Sequence, residues 1–519
     1  MNMRRWHSLL DIFMFPLKLL FVGIVMIALS SLVLNSNTSV FFSMNNTYVT
    51  IFAHLLKSIG NFIVIHFPLL VMLKMLARRN GQGVGVVSGV LGYVVFLTVT
   101  MFLSRQNLPS AAYDSILGLS FNTASVSGMS GLIQYPLQTG LIGALCVGLA
   151  SRIAYQKSRG KLRYGIFSFI DRDTYALILS AFYSLVLGVL FSWIWPYLID
   201  ALYMVFDFIA SDISNPINMF VYGIFDRILS VFNMGGIIRY AFWFTEMGGT
   251  WQDMTGTSYA GDVAVWMAQA ARNLYPAGFG RFITPYYVLN LFAIPGMIFA
   301  LYTTFTDKIE KRRVRMMFVI CLLVSLITGV ILPLEILLLV TAPLLFVMHI
   351  FVTGIIFGVC QVMNLNLGFI FTGKTAAAMP GNIFDLLIYI RNINAYQTIV
   401  GILILGVICF VTYFLMTKMY YTFLALDLFN TGQTRKKVDG FAAAVGGVEN
   451  IKMVNSSPFR LYVQVHDSNL IDYNQFKQLG ASKILETRAG YAIDFGAGST
   501  IYRRELTKRM RECKRRIDD

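Results

Sequence analysis

Charge is what this chain has least of. Asp, Glu, Lys and Arg supply 13% of its 519 residues, against about a quarter in ordinary soluble domains. Hydrophobic residues fill 56%, more apolar surface than a soluble chain of this length could hide, so an integral membrane protein is expected. That excludes a fully soluble enzyme and a disordered chain. Cysteine is scarce as well: Cys146, Cys321, Cys360, Cys409 and Cys513 form no CxxC pair, which excludes a disulfide scaffold and a cysteine-based zinc site. The histidines, His7, His54, His66, His349 and His466, are scattered without HExxH-like spacing, so no metal site and no cofactor are expected. Acidic residues are outnumbered 26 to 42 by Lys and Arg, a net charge of +16. In a membrane protein that excess marks cytoplasmic loops beside anionic lipid, and not nucleic acid.

Crossing about 30 Å of hydrocarbon takes roughly 20 helical residues. Phe13–Leu34, Ile51–Leu76, Val84–Leu103, Leu137–Tyr155, Tyr175–Leu198, Pro285–Phe305, Met317–Leu339, Ala342–Val362 and Tyr396–Met416 qualify. Ile199–Ala210 and Met219–Phe232 are shorter and read as a broken or amphipathic pair, for about ten spans in all. Met1–Leu34 is basic, then apolar, with no small-residue cleavage site after it, and reads as a retained first span. The basic residues Arg4, Arg5, Arg78, Arg79, Arg152, Lys157, Arg159, Lys161, Arg163 and Lys308–Arg315 predict cytoplasmic loops. Gly329, Pro333 and Glu335 interrupt one apolar run. A broken segment with an intramembrane carboxylate is the expected form of a midplane polar site.

Composition changes after Asn430. Residues 431–439 (TGQTRKKVD) are polar and basic, which predicts a linker. Gly440–Asp519 is an ordinary soluble mixture of a size suited to a small domain. Phe441–Val445 opens a short helix, Phe459–Val465 alternates like a strand, Tyr491–Phe495 reads as another strand between glycines, and Thr500–Arg516 is a charged terminal helix. The expected architecture is a polytopic α-helical membrane domain over 1–430 and a small cytoplasmic α/β domain over 440–519.

Several runs resemble one family in order. His66–Leu70 (HFPLL), Ser184–Pro196 (SLVLGVLFSWIWP), Leu326–Leu345 (LITGVILPLEILLLVTAPLL) with His349 after it, Gly440–Ile451 (GFAAAVGGVENI) and Gly490–Gly496 (GYAIDFG) resemble elements of bacterial phosphotransferase-system enzyme II of the glucose, maltose and N-acetylglucosamine type. There a IIC membrane domain is fused to a IIB domain. The resemblance covers nearly the whole chain. It implies a IIC-like domain with broken or re-entrant segments, a IIB-like C-terminal domain, a sugar ligand, a IIA- or HPr-type phosphocarrier partner, lipid contact, a homodimer and the bacterial inner membrane.

The positions that carry the family's chemistry depart from its pattern. In the family a IIB cysteine in D-A-C-I-T-R-L-R receives phosphate. The matching run is Asn455–Tyr462 (NSSPFRLY), with Ser457 in the cysteine's place and Arg460 retained. A serine hydroxyl without a base is a far weaker nucleophile than a thiolate. In the family's G-I-T-E-P-I-E the first glutamate is Leu332 here, and the second remains as Glu335. The family's G-L-H-H element reads Asn233–Tyr240 (NMGGIIRY), without histidine. Glu335, Arg239, Trp243 and Glu246 are the residues left for a substrate site, and Phe242 and Tyr240 could stack on a ring. Arg172, between Asp171 and Asp173, reads as part of a solvated loop. Gly368–Thr375 (GFIFTGKT) matches the phosphate-loop pattern, but no strand–loop–helix unit surrounds it, so nucleotide binding is not expected. Arg503–Arg516 reads as a solvated or lipid-facing helix. Three functions stay open: a sugar phosphotransferase with impaired or lost phosphotransfer, a non-catalytic sugar sensor, and a facilitator without phosphorylation. If Glu335 lies in the membrane, its charge needs a partner, either Arg239 or a hydroxylated ligand.

Overall fold

The computed structural model describes the chain except residues 1–2, 35–45, 81–82, 106, 123–132, 160–169, 273, 275–277, 306–307, 370–379, 391–392, 425–430, 480, 482, 488–489 and 519. The phosphate-loop match therefore lies largely outside the described residues, as do Lys161 and Arg163.

The first half contains α1 (Met3–Leu34), α2 (Thr47–Ile65), α3 (Phe67–Asn80) and α4 (Gly83–Leu103), then the two-residue strands β1 (Phe121–Asn122) and β2 (Ile133–Gln134). It continues with α5 (Gly140–Arg159), α6 (Arg172–Ser211), α7 (Pro216–Val231) and α8 (Gly235–Phe244). A hairpin of β3 (Thr250–Gln252) and β4 (Ser258–Ala260) leads to α9 (Asp262–Ala270). The short α10 (Thr284–Val288) runs through a π-turn at Leu289–Ala293 into α11 (Ile294–Thr304). Then come α12 (Lys308–Thr328), α13 (Leu332–Thr341), α14 (Pro343–Val362), α15 (Ile383–Tyr389) and α16 (Tyr396–Met419). Among the described residues seven helical stretches are long and apolar enough to cross a membrane. Phe67–Ala77, Val314–Thr328 and Leu332–Thr341 are shorter apolar helices.

Two boundaries differ from those expected, and a third agrees. The run Ile51–Leu76 is two helices, parted at His66. There the ring Nδ1 donates to the Phe62 carbonyl (2.8 Å) and Nε2 accepts from the Leu117 amide (3.0 Å). Both ring nitrogens are thus used, and the kink is tied to a distant loop. Conversely, the expected break after Leu198 is absent: α6 is one helix of 40 residues with Pro196 inside it. The Trp195 indole donates to the Gln138 carbonyl at 3.2 Å and holds that stretch against its neighbour, so packing keeps the helix whole across a residue type that ordinarily kinks or breaks one. The apolar run Met317–Leu339 is broken as expected, with Gly329 at φ +65° between α12 and α13.

Glycines let the helices that carry the site approach closely. A Cβ on Gly296 of α11 would lie 2.4 Å from the Phe410 carbonyl oxygen of α16, and one on Gly223 of α7 would lie 3.0 Å from the Gly354 Cα of α14. Gly296→Val is expected to push α16 away and cost about 1–3 kcal/mol by overpacking. A fall in the midpoint of thermal inactivation in detergent would register it, and an unchanged midpoint would contradict the backbone contact.

The C-terminal part has its own core. Residues 431–439 are not extended; they form the first turns of α17 (Thr431–Ala444). β5 (Ile451–Ser456), β6 (Arg460–Val465), β7 (Ile484–Thr487) and β8 (Gly490–Asp494) make an antiparallel sheet in the order β5-β6-β8-β7. Leu461, Val463 and Ile493 of the sheet pack with Phe441 of α17, Phe476 of α18 (Tyr473–Gln478) and Tyr502 and Leu506 of α19 (Ser499–Asp518). The period-2 burial of β6 is what its alternating sequence dictates. This part is joined to the membrane helices at the end of α16: the Thr500 hydroxyl hydrogen-bonds the Tyr421 carbonyl, and the Tyr421 and Phe459 rings meet edge-on at 6.4 Å.

Candidate functional site

Four ionised side chains meet in the helical core. Asp226 and Arg227 are neighbours on α7, Arg239 is on α8 and Glu335 is in the first turn of α13. Arg227 Nη1 donates to Glu335 Oε1 at 2.8 Å, and its Nε donates to Asp226 Oδ2 at 3.0 Å. Arg239 Nε donates to the other Asp226 oxygen at 2.8 Å, and its Nη2 donates to the Ser230 hydroxyl at 2.5 Å. Asp226, Arg227 and Glu335 are buried, whereas the Arg239 side chain keeps 15% exposure. Two carboxylates thus face two guanidiniums, and the cluster is neutral as a unit. Such an arrangement is tolerable in low dielectric only because each charge has both a counter-charge and directed hydrogen bonds.

A second line of contacts reaches Glu335 from the opposite side. His349 of α14 places Nε2 3.3 Å from Glu335 Oε1 and Nδ1 3.0 Å from the Tyr413 hydroxyl of α16. Thr353 lies 3.3 Å from the same hydroxyl. Both ring nitrogens of His349 are thus engaged, one by the carboxylate and one by the Tyr413 hydroxyl. Arg227 and His349 therefore converge on one oxygen of Glu335, and no hydrogen bond among the described residues reaches Oε2. Around the cluster stand Tyr286 of α10, whose ring carries the Arg227 guanidinium at 5.4 Å, and Trp243, edge-on to Tyr286 at 6.1 Å. Among the described residues the hydroxyls of Tyr222 and Tyr286 and the indole nitrogen of Trp243 are buried without a partner at good hydrogen-bond geometry, although the Trp243 indole lies beside the Tyr222 hydroxyl and the Tyr286 hydroxyl beside Arg239 and Asp226. Buried polar groups of this kind are nearly always satisfied, by protein, water or ligand.

The structure thus gathers Glu335, Arg239 and Trp243 into one region. It corrects the expected pairing: Glu335 is neutralised by Arg227, while Arg239 belongs to Asp226. The reason is helix adjacency, since α7 lies against α13 and α14 and offers Arg227 to the carboxylate, whereas Arg239 lies in the second turn of α8 and reaches back to Asp226. Glu246 is exposed in the single turn after α8, and Tyr240 is 42% exposed; neither joins the network among the described residues. Phe242 is buried against Tyr222. Arg172 is exposed in the first turn of α6, which Asp171 caps through the Thr174 and Asp173 amides. Asp226, Arg227, Tyr222, Tyr286 and Tyr413 escaped the sequence reading. Their available signal was an Asp-Arg pair inside the apolar run Met219–Phe232.

Ser457 and Arg460 lie elsewhere, in the turn joining β5 to β6. Ser457 is buried at 4% exposure; its hydroxyl accepts from the Arg460 amide at 3.0 Å and lies 3.3 Å from the Arg460 carbonyl. Arg460 crosses to Asp494 on β8, with Nη2 donating to Oδ2 at 3.1 Å and Nε to Oδ1. The hydrogen bonds to Asp494 hold the Arg460 guanidinium above its usual pKa. No base stands within hydrogen-bond distance of the Ser457 hydroxyl among the described residues, and the nearby cation is already paired.

The family model described as "Phosphotransferase system, EIIC" matches residues 10–354. Among characterised proteins the chain is similar to the PTS system glucoside-specific EIICBA component of Staphylococcus carnosus (strain TM300), 27% identical over 491 residues, covering 90% of this chain and 67% of that protein. It is similar also to the PTS system glucose-specific EIICBA component of Staphylococcus saprophyticus, 26% identical over 471 residues, covering 88% and 66%. The chain spans about two thirds of the length of these relatives. Among solved structures the transporter ChbC, the IIC component from the N,N'-diacetylchitobiose-specific phosphotransferase system, aligns over 80% of this chain and 93% of that one, at 12% identity and a TM-score of 0.32.

Proposed function

Because the chain belongs to the phosphotransferase-system EIIC family and is an integral plasma-membrane protein, we propose that it is a permease component that binds a neutral glucose-like sugar or glucoside at the Asp226–Arg227–Arg239–Glu335 cluster, and that its own C-terminal domain, IIB-like in ancestry, does not relay phosphate. The observation that carries the first half is the one-sided hydrogen bonding of Glu335. Arg227 and His349 hold Oε1 and keep the carboxylate charged and oriented, and Oε2 remains to accept a hydroxyl. The Tyr222 and Tyr286 hydroxyls and the Trp243 indole are further buried polar groups at the same place whose hydrogen bonding is incomplete among the described residues. A cluster whose charges already cancel favours a neutral ligand over an anionic one. The second half is supported by Ser457, whose hydroxyl is spent on the backbone of its own turn. A IIA- or HPr-type carrier would then serve another chain, and a homodimer through the early helices is part of this reading; a monomer by light scattering in mild detergent would count against it.

Calorimetry with glucose, maltose, a β-glucoside and an amino sugar tests the site. Glu335→Gln keeps the volume and removes the charge, and it should weaken binding about 10- to 150-fold, the loss of one hydrogen bond to a charged group at roughly 1.5–3 kcal/mol. Tight binding indifferent to that substitution would sink the site. Sugar uptake into proteoliposomes without a phosphate donor would establish the facilitator form of this reading, and binding without uptake would establish the sensor form.

A further inference from the structure

The C-terminal helix α19 begins beside the end of the candidate membrane span Tyr396–Thr422. Its second residue, Thr500, is hydrogen-bonded to the Tyr421 carbonyl just beyond the last turn of α16, and Lys418, at the same end of α16, lies exposed over the Phe414 ring. Arg503 comes three residues later, about 4.5 Å further along the helix axis. Its side chain is partly buried, and among the described residues its shielded Nε has no hydrogen-bond partner. Burial lowers the pKa of this guanidinium, as befits a cation with no acid set against it. Arg509, in contrast, is paired with Asp439 of α17.

Beyond Arg503 the helix carries a basic face. Arg504, Lys508 and Arg511 follow at i, i+4 and i+7, the spacing of one helical stripe, and all three are exposed. Tyr502 and Leu506, on the other side, are buried in the domain core. The stripe therefore points out of the domain, and the helix that bears it is anchored at the end of a membrane span. A surface of that charge at that place fits the anionic head groups of the leaflet it adjoins, where each basic residue adds to the attraction and salt screens it.

We propose that the start of α19 is an anionic-lipid site: a head-group phosphate accepts from Arg503, and Lys508 and Arg511 extend the contact along the bilayer surface, docking the C-terminal domain on the membrane. The occupant is lipid and not soluble phosphate because the site opens where the membrane span ends. Nothing in it depends on sugar binding, and no covalent step is involved.

Hydrogen exchange of the amides in 499–513 tests it, on the full chain in nanodiscs of phosphatidylcholine alone or with phosphatidylglycerol. Exchange should be several-fold slower with phosphatidylglycerol, and the difference should vanish in 0.5 M salt and in the variant Arg503→Gln, Lys508→Gln, Arg511→Gln. Exchange in β6 and β8 serves as the folding control. Equal exchange in the two lipids overturns the proposal, as does protection that persists in the variant. Protection produced in phosphatidylcholine discs by inorganic phosphate, or only by an acidic phosphocarrier protein, overturns lipid as the occupant.

Discussion

Arg227→Met is expected to be among the most damaging substitutions in the chain. It leaves Glu335 with only the weaker His349 contact and strips Asp226 of one of its two guanidiniums, all in a buried setting. Removing one partner of such a cluster costs about 3–5 kcal/mol, because the remaining charge stays buried and uncompensated. The midpoint of unfolding in mixed micelles should drop accordingly, and sugar binding should be lost. The double change Arg227→Met with Glu335→Gln should recover part of that stability, since it removes both charges and leaves a neutral amide that His349 can still meet. A double-mutant cycle with coupling near zero would mean that the two side chains do not share the ion pair seen here, because contacting pairs of this kind couple by roughly 0.5–3 kcal/mol.

The two members of that pair were not equally visible beforehand. Glu335 announces itself: a carboxylate beside Gly329 and Pro333 in an apolar run reads either as a functional group or as one half of a buried salt bridge. Arg227 lies in a run just as apolar, yet Met219–Phe232 reads as half of a broken or amphipathic pair, and a charged pair in such a run draws no attention. What decides the matter is the seating of α7 on α14 through Gly223 and Gly354, a long-range approach that no local pattern encodes. The unbroken α6 is a similar case. Pro196 is a sound local stop signal, and the tie from Trp195 to a residue 57 positions earlier overrules it. The C-terminal sheet was easier, because β6 alternates and β8 is a short apolar run between glycines. Their register, which sets Arg460 against Asp494, was not legible, and it is that register which spends the arginine's charge.

The same register frames the last expectation. If the turn between β5 and β6 is a phosphate-accepting turn that has lost its nucleophile, Ser457→Cys should restore the ability to take up phosphate. A free thiol with pKa near 8.5 is about 3% thiolate at pH 7, whereas a serine hydroxyl without a base is not measurably ionised. Cysteine at 457 would also inherit the Arg460 amide, which donates to the present hydroxyl at 3.0 Å; a hydrogen bond to an ionised sulfur is stronger than one to a neutral oxygen. Radiolabel transferred from the general phosphotransferase proteins should therefore rise by about 10²-fold or more over the natural chain, the range that lost activation of a nucleophile commonly spans. Adding Asp494→Asn should raise it again by a few-fold, because the Arg460 guanidinium, no longer held by a carboxylate, could turn toward the incoming phosphate. Two results would break this reasoning. Label on Ser457 of the natural chain at the level of the cysteine variant would make the serine a working acceptor. No label on either, with the domain folded and the donors active on a control enzyme II, would mean that the turn has lost its carrier-binding surface as well as its nucleophile.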